Sequence, residues 1–317
     1  YCRFKFARGF LHTIDASRLT VALTRGLRES NETRFLQRLL LQESEYVEEE
    51  VEFDGEPVFE DEGLVPFLPW VKLTRLREFQ LGYVGNDANT HVNGESVVGY
   101  IGSLKNLEVL ALGALRVDTM ELFSLQLPKL KKLLVYHVYK YHLETLAENP
   151  SFAGLEELGC RPRGLEPYEE EACIQLAGVE ALVSSPHLKR LRYLELRASD
   201  IGDAGVKLLL DSGLVRGLEV LDLHYGEITD EGARLLAAHP DTKKLTKLDI
   251  GGNALTKEGL QLLADAGIAY VSGKQFQLDD EREYLWSSSG PLGLADRITY
   301  WLTRGTLGLS PARHRTR

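Results

Sequence analysis

A nine-residue pattern recurs three times at a fixed spacing, and no other feature constrains the fold of this chain as strongly. Ile201-Gly202-Asp203-Ala204-Gly205-Val206-Lys207-Leu208-Leu209 returns as Ile228-Thr229-Asp230-Glu231-Gly232-Ala233-Arg234-Leu235-Leu236. It returns again as Leu255-Thr256-Lys257-Glu258-Gly259-Leu260-Gln261-Leu262-Leu263, each copy starting 27 residues after the last. A Leu-x-x-Leu-x-(Leu/Ile) segment precedes each copy: Leu191-x-x-Leu194-x-Leu196, Leu218-x-x-Leu221-x-Leu223 and Leu245-x-x-Leu248-x-Ile250. One strand-plus-helix unit of this length cannot bury its apolar face alone and must stack on its neighbours. A fixed period in this range therefore predicts a solenoid.

Less regular copies of the strand segment run upstream through Leu155-x-x-Leu158-x-Cys160, Leu130-x-x-Leu133-x-Val135, Leu107-x-x-Leu110-x-Leu112 and Leu76-x-x-Phe79-x-Leu81, with a fainter one at Leu36-x-x-Leu39-x-Leu41. Strand alternation turns the second and third apolar positions into the core and the residues between them outward. The segment after each strand suits a helix, with Leu208 and Leu209, or Leu235 and Leu236, on one face. Asp203, Asp230, Glu231 and Glu258 sit near the starts of these helices, where carboxylates suit the exposed amides. Gly205, Gly232 and Gly259 are expected to allow close helix–strand packing.

These motifs resemble the leucine-rich repeat family, and the Ile-(Gly/Thr)-Asp-x-Gly-x-x-Leu-Leu segment resembles its ribonuclease-inhibitor-like class. The resemblance implies an α/β horseshoe with a parallel concave β-sheet and convex helices. Asn253 fills the family's asparagine position in the last clean repeat, whereas Ser199 and Gly226 stand at the corresponding places before it. The opening Phe4-Lys5-Phe6-Ala7-Arg8-Gly9-Phe10 is similar to segments that lead into bacterial arrays of this type.

The chain of 317 residues is 44% hydrophobic, enough for a continuous core that grows in one dimension. A net charge of −10 disfavours nucleic acid, whose phosphates need clustered cations. Three cysteines without close pairing fit a reducing compartment, and a cytoplasmic location is expected. No apolar run approaches the roughly 20 residues of a membrane span, and membrane binding is not expected. The chain opens on Tyr1 rather than methionine, as expected of a fragment or a processed chain.

Four regions are expected: a flank or cap over 1–42, an acidic insert and entry over 43–72, repeats over 73–272, and a cap or tail over 273–317. Residues 43–62 carry eleven carboxylates, which repel one another and favour a solvated loop. Val47, Val51, Phe53, Val58 and Phe59 interrupt that block and suggest that part of it forms a hairpin turning at Asp54-Gly55. Longer intervals at 82–95 and 161–171 read as loops inserted in the solenoid. Beyond Ile268–Val271, a last short strand, Leu294, Ile298, Trp301 and Leu302 fall at helical spacing. That stripe predicts a helix that caps the last repeat or docks on a partner, with Trp301 as anchor.

Catalysis is not expected, and neither is a cofactor or a metal. Cys160 stands at a core position and should pack as a small hydrophobe. Cys173 is placed in the helix after Glu169-Glu170-Glu171, where carboxylates blunt a thiol. Phosphate-loop, serine-elbow and zinc-spacing motifs are all missing. The run from Tyr136 to His142 reads either as a turn whose tyrosines cover the core edge or as an aromatic recognition patch.

Outward positions of stacked strands make columns across the sheet. The central column reads Leu134, Gly159, Glu195, Asp222, Asp249; the next reads Tyr136, Arg161, Arg197, His224, Gly251; the preceding one reads Lys132, Glu157, Tyr193, Val220, Lys247. Three adjacent carboxylates repel one another by about 1 kcal/mol per pair at intermediate dielectric. Either Arg197 and Lys247 neutralise them internally, or the columns form a mixed-charge groove that awaits a basic peptide or protein surface. The expected function is a non-catalytic protein-interaction module. Its expected contacts are Tyr136, Arg161, Tyr193, Glu195, Arg197, Asp222, His224 and Asp249, with Trp301 in the tail. Two alternatives stand beside it: the recognition or regulatory part of a larger enzyme or bacterial defence complex, and a receptor for a small ligand.

Overall fold

Leucines at strand spacing, followed each time by a capped amphipathic segment, produce a repeating strand–turn–helix path in a computed structural model of the chain. It describes residues 1–44, 51–53, 56–58, 65–82, 92, 94–114, 116–137, 139–162 and 173–276. The N-terminal part holds β1 (Cys2–Ala7), β2 (Phe10–Leu19), α1 (Val21–Glu29) and β3 (Arg38–Ser44). A short hairpin of β4 (Val51–Phe53) and β5 (Glu56–Val58) interrupts the acidic block, as the apolar residues within it suggest. The repeats continue through β6 (Glu78–Leu81), α2 (Val98–Ser103), β7 (Val109–Gly113), α3 (Thr119–Ser124), β8 (Lys132–His137) and α4 (Leu143–Glu148). Next come β9 (Glu157–Pro162), α5 (Leu176–Ser184), β10 (Tyr193–Leu196) and α6 (Gly202–Asp211). The regular copies close the array with β11 (Val220–Asp222), α7 (Asp230–Ala238), β12 (Lys247–Asp249), α8 (Lys257–Asp265) and β13 (Tyr270–Val271).

One sheet of 11 strands runs in the order β1-β2-β3-β6-β7-β8-β9-β10-β11-β12-β13. Every pairing in it is parallel except β1 with β2. The parallel sheet thus reaches further towards the N-terminus than residue 73, because β2 and β3 belong to it. Successive helices from α2 to α8 contact one another and form a second layer. Between the layers lies one continuous core that includes Leu194, Leu196, Leu221, Leu223, Leu248 and Ile250, all fully buried. No helix among the described residues is long and apolar enough to cross a membrane.

The aspartates of the nine-residue pattern act one repeat further on than local reasoning predicts. Asp203 Oδ1 accepts from the Thr229 and Gly232 amides, both at 2.9 Å, and Asp203 Oδ2 accepts from the Thr229 hydroxyl at 2.6 Å. Asp230 repeats the arrangement on Thr256, at 2.9 Å to the amide and 2.6 Å to the hydroxyl. Each aspartate therefore caps the helix of the following repeat, while the threonine caps its own. Gly232 and Gly259 make room for this contact rather than for a strand, whereas Gly205 makes room for the Ile201 side chain. A Cβ at Gly232 would lie 2.4 Å from Asp203 Oδ1, and one at Gly259 would lie closer still to Asp230 Oδ1. Lys257 occupies the aspartate position in the last copy, so α8 offers no such cap onward.

Asn253 performs a similar link in the turns. Its Oδ1 accepts from the Gly226 and Ile228 amides at 2.8 and 3.0 Å, and its Nδ2 donates to the Leu223 and Ile250 carbonyls, both at 2.9 Å. It therefore completes the turn of the previous repeat, where Gly226 has no side chain to do so.

Candidate functional site

The three columns expected from the sequence exist in register. Glu195 pairs with Gly159 and Asp222, and Asp222 pairs with Asp249. Tyr136 pairs with Arg161, and Tyr193 with Glu157 and Val220. Tyr136, Arg161, Tyr193, Glu195, Arg197, Asp222, His224 and Asp249 thus lie on or just beyond adjacent strands. Trp301 lies outside the described residues, as do Leu294, Ile298 and Leu302.

Accessibility corrects the expected groove. Relative exposure is 0% for Glu195 and Asp249, 2% for Asp222, 4% for Arg161 and 7% for Tyr136, so these five present almost nothing to a partner. The physical reason is that the acids are satisfied within the face. Arg161 donates to Glu195 through Nε at 2.5 Å and Nη2 at 2.8 Å, a buried bidentate pair. The Tyr193 hydroxyl donates to Glu195 Oε2 at 2.8 Å, and Arg197 Nε lies 3.9 Å from Glu195 Oε1. Gly159 leaves space for this cluster, since a Cβ there would lie 2.6 Å from Leu134 Cδ1 and 3.5 Å from Glu195 Oε2.

Burial alone would raise the Glu195 pKa. The charge and hydrogen bonds of Arg161 outweigh it and hold the carboxyl below its ordinary value. Burial likewise opposes the Arg161 charge, and Glu195 reverses that and moves the guanidinium further up. The Tyr193 phenol is pushed well above its usual value by burial and by the Glu195 charge. All three groups keep one protonation state at neutral pH, which suits a structural cluster rather than proton transfer.

Further along the face, the short aspartates fasten the ends of their own strands. Asp222 Oδ1 accepts from the His224 amide at 3.1 Å, and Asp249 Oδ1 accepts from the Gly251 amide at 3.1 Å. His224 Nδ1 sits 3.2 Å from Asp249 Oδ1, and Lys247 Nζ lies 3.6 Å from Asp249 Oδ2. Tyr193, Arg197, His224 and Lys247 remain half-buried and give the face its accessible polar edge. Lys132 and Glu157 add a salt bridge of 2.6 Å between β8 and β9.

Most of the aromatic run serves the core edge. Tyr141 is buried and donates to the Val135 carbonyl at 2.9 Å. His137 is fully buried, with its ring 4.4 Å from that of Tyr141. Its Nδ1 accepts from the Tyr139 amide at 3.3 Å, so the proton of the neutral ring sits on Nε2. Tyr139 is the exposed member and, with Lys140 and His142, lines an open cleft beside Arg116, Asp118 and Met120.

Cys160 packs in the core as expected, and burial, then the Glu195 charge, pushes its thiol well up. Cys173 precedes α5 rather than lying in it, and its carbonyl accepts from the Tyr141 amide at 2.8 Å. All three cysteines are free thiols.

Sequence reasoning missed the onward caps of Asp203 and Asp230 and the contact of His224 with Asp249. The 27-residue period was the signal for the first, because it sets each aspartate beside the next threonine.

The fold and face define a strand–helix repeat solenoid built around a parallel sheet. Residues 186–210, 218–237 and 243–264 match the family model described as a leucine rich repeat, so these segments are leucine-rich repeats. Solved structures similar to it include a Bacteroides fragilis protein, at 17% identity and a TM-score of 0.41, covering 80% of this chain and 62% of that one. An internalin from Listeria monocytogenes is similar at 18% identity and a TM-score of 0.47, covering 78% of this chain and 56% of that one. The PEPR1–AtPEP1 structure is similar at 16% identity and a TM-score of 0.42, covering 88% of this chain and 36% of that one. The chain therefore spans less than two thirds of each of these proteins. No curated protein matches it.

Proposed function

We propose that the chain is a non-catalytic interaction module that takes a protein or peptide on its concave face. The observation that carries this reading is the row of half-buried Tyr193, Arg197, His224 and Lys247, held on adjacent strands by a fully satisfied layer beneath. An ordered platform with few side chains left to immobilise favours binding, because less conformational entropy is lost on association. Two of the four accessible groups are cationic, and the acids beneath are already paired. The proposed partner surface is therefore mixed or acidic rather than basic. Free cysteines suit a reducing compartment, and we place the module in the cytoplasm. The array also fits a recognition part within a larger assembly.

The test compares partner capture by the unmodified chain with capture by the double variant Arg197→Gln, Lys247→Gln. Both side chains are partly solvated, so the melting temperature should stay nearly constant while affinity falls at least ten-fold. Unimpaired binding by a folded double variant would move the interface off this face.

A further inference from the structure

The end of the central column carries a donor set of a different kind from the Arg161–Glu195 cluster. Asp222, His224 and Asp249 each offer one ligand atom, and these atoms all lie within 4.8 Å of one another. The geometry points to a binding site for a divalent transition-metal ion, of the zinc class, formed by these three residues. This inference stands on the isolated chain and does not depend on a protein partner.

Spacing is the first argument. A tetrahedral zinc ion with bonds of roughly 2.0–2.2 Å sets its ligands about 3.3 Å apart. His224 Nδ1 and Asp249 Oδ1 are already 3.2 Å apart, so two of the three donors stand at that separation. Asp222 is the direct strand neighbour of Asp249, and its ligand atom lies within 4.8 Å of the other two.

Support around the donors is the second argument. The His224 amide holds Asp222, and the Gly251 amide holds Asp249, each at 3.1 Å. Ligating carboxylates are commonly fixed by such outer hydrogen bonds. Gly251 also keeps the ring position open, because a Cβ there would lie 2.7 Å from His224 Nδ1 and 2.6 Å from its Cε1. At the same column position, Arg161 and Arg197 both direct their charge to Glu195. In the next two repeats the residues there are His224 and Gly251, so a coordinating imidazole stands where a guanidinium would have occupied the site.

Ligand chemistry selects the ion. One imidazole with two carboxylates suits zinc, manganese or cobalt, whereas magnesium and calcium prefer all-oxygen shells. The two carboxylates carry a charge of −2, of which Lys247, 3.6 Å from Asp249 Oδ2, offsets one, so a divalent ion would compete with that ammonium for Asp249. His224 is half-buried, so the ion would enter from the open side of the sheet.

The experiment titrates zinc chloride into the full chain, freed of metal with a chelator, and follows it by calorimetry and by amide NMR shifts. A one-equivalent step is expected, weakened at least ten-fold in His224→Gln and in Asp222→Asn, with magnesium binding at least ten-fold weaker than zinc. In the unmodified chain, the His224 and Gly251 amides should shift together and saturate with that step, a readout that needs no variant to fold. Absence of binding at millimolar zinc would overturn the site. So would an unchanged affinity in His224→Gln, or shifts confined to amides elsewhere.

Discussion

At the residue scale, single polar side chains decide more of the stability than their number suggests. Asn253 is buried and serves two successive turns at once. Its truncation to alanine strands the Gly226 and Ile228 amides without an acceptor, and each unsatisfied buried group costs about 1–3 kcal/mol. Asn253→Ala should therefore lose about 3 kcal/mol in urea unfolding. His137 supplies a pH signature. Burial, with a smaller effect of His142, lowers its pKa from 6.5 to about 3. The unfolded chain binds the extra proton between those values, so this contribution is complete above pH 6.5 and is lost as pH falls towards 3. Between pH 7 and pH 5, the native chain should lose about 2 kcal/mol more than His137→Asn. Asparagine keeps an acceptor for the Tyr139 amide and cannot titrate. Parallel urea curves for the two proteins at both pH values would check this, and equal losses would show that His137 is not buried neutral.

At the element scale, the helices are tied to one another by caps that cross the repeat boundary. Asp230 holds the N-terminus of α8 from its place at the start of α7. Removing a capping side chain typically costs about 1 kcal/mol, up to about 2. Asp230→Ala should fall in that range by chemical denaturation. Combined with Thr256→Ala, it should cost less than the sum of the two single losses, because both variants break the bond from the Thr256 hydroxyl to Asp230 Oδ2. Additive losses would show that the aspartate and the threonine act separately. Lys257 at the corresponding place in α8 marks where this coupling ends.

At the scale of the whole molecule, the buried Arg161–Glu195 pair joins β9 to β10 across the long interval between them. Breaking a buried pair by neutralising one partner typically costs about 3–5 kcal/mol, because the other charge stays buried and uncompensated. Glu195→Gln should lie near the lower end, since the amide oxygen still accepts one bond. Replacing both partners together, as Arg161→Met with Glu195→Leu, should recover most of that loss. Equilibrium unfolding of the three proteins would check the order. A double variant no better than the single one would mean that the pair contributes net stability.

Repetition made the architecture legible in the chain itself. Leu194, Leu221 and Leu248 recur with the period of a strand–helix unit, and burying such a ladder requires parallel stacking whatever the surface residues are. Register then follows, because a one-residue slip would turn the leucines outward, and so the columns of Glu195, Asp222 and Asp249 could be written down in advance. What those columns do depended on tertiary structure. Whether Arg161 reaches Glu195, whether Asp203 caps its own helix or the next, and whether His224 leans on Asp249 are settled by side-chain reach across neighbouring strands and helices. Local spacing carries no record of that reach. Burial of the carboxylates was hidden for the same reason, since alternation places a residue on a face but does not say how closely its neighbours close over it.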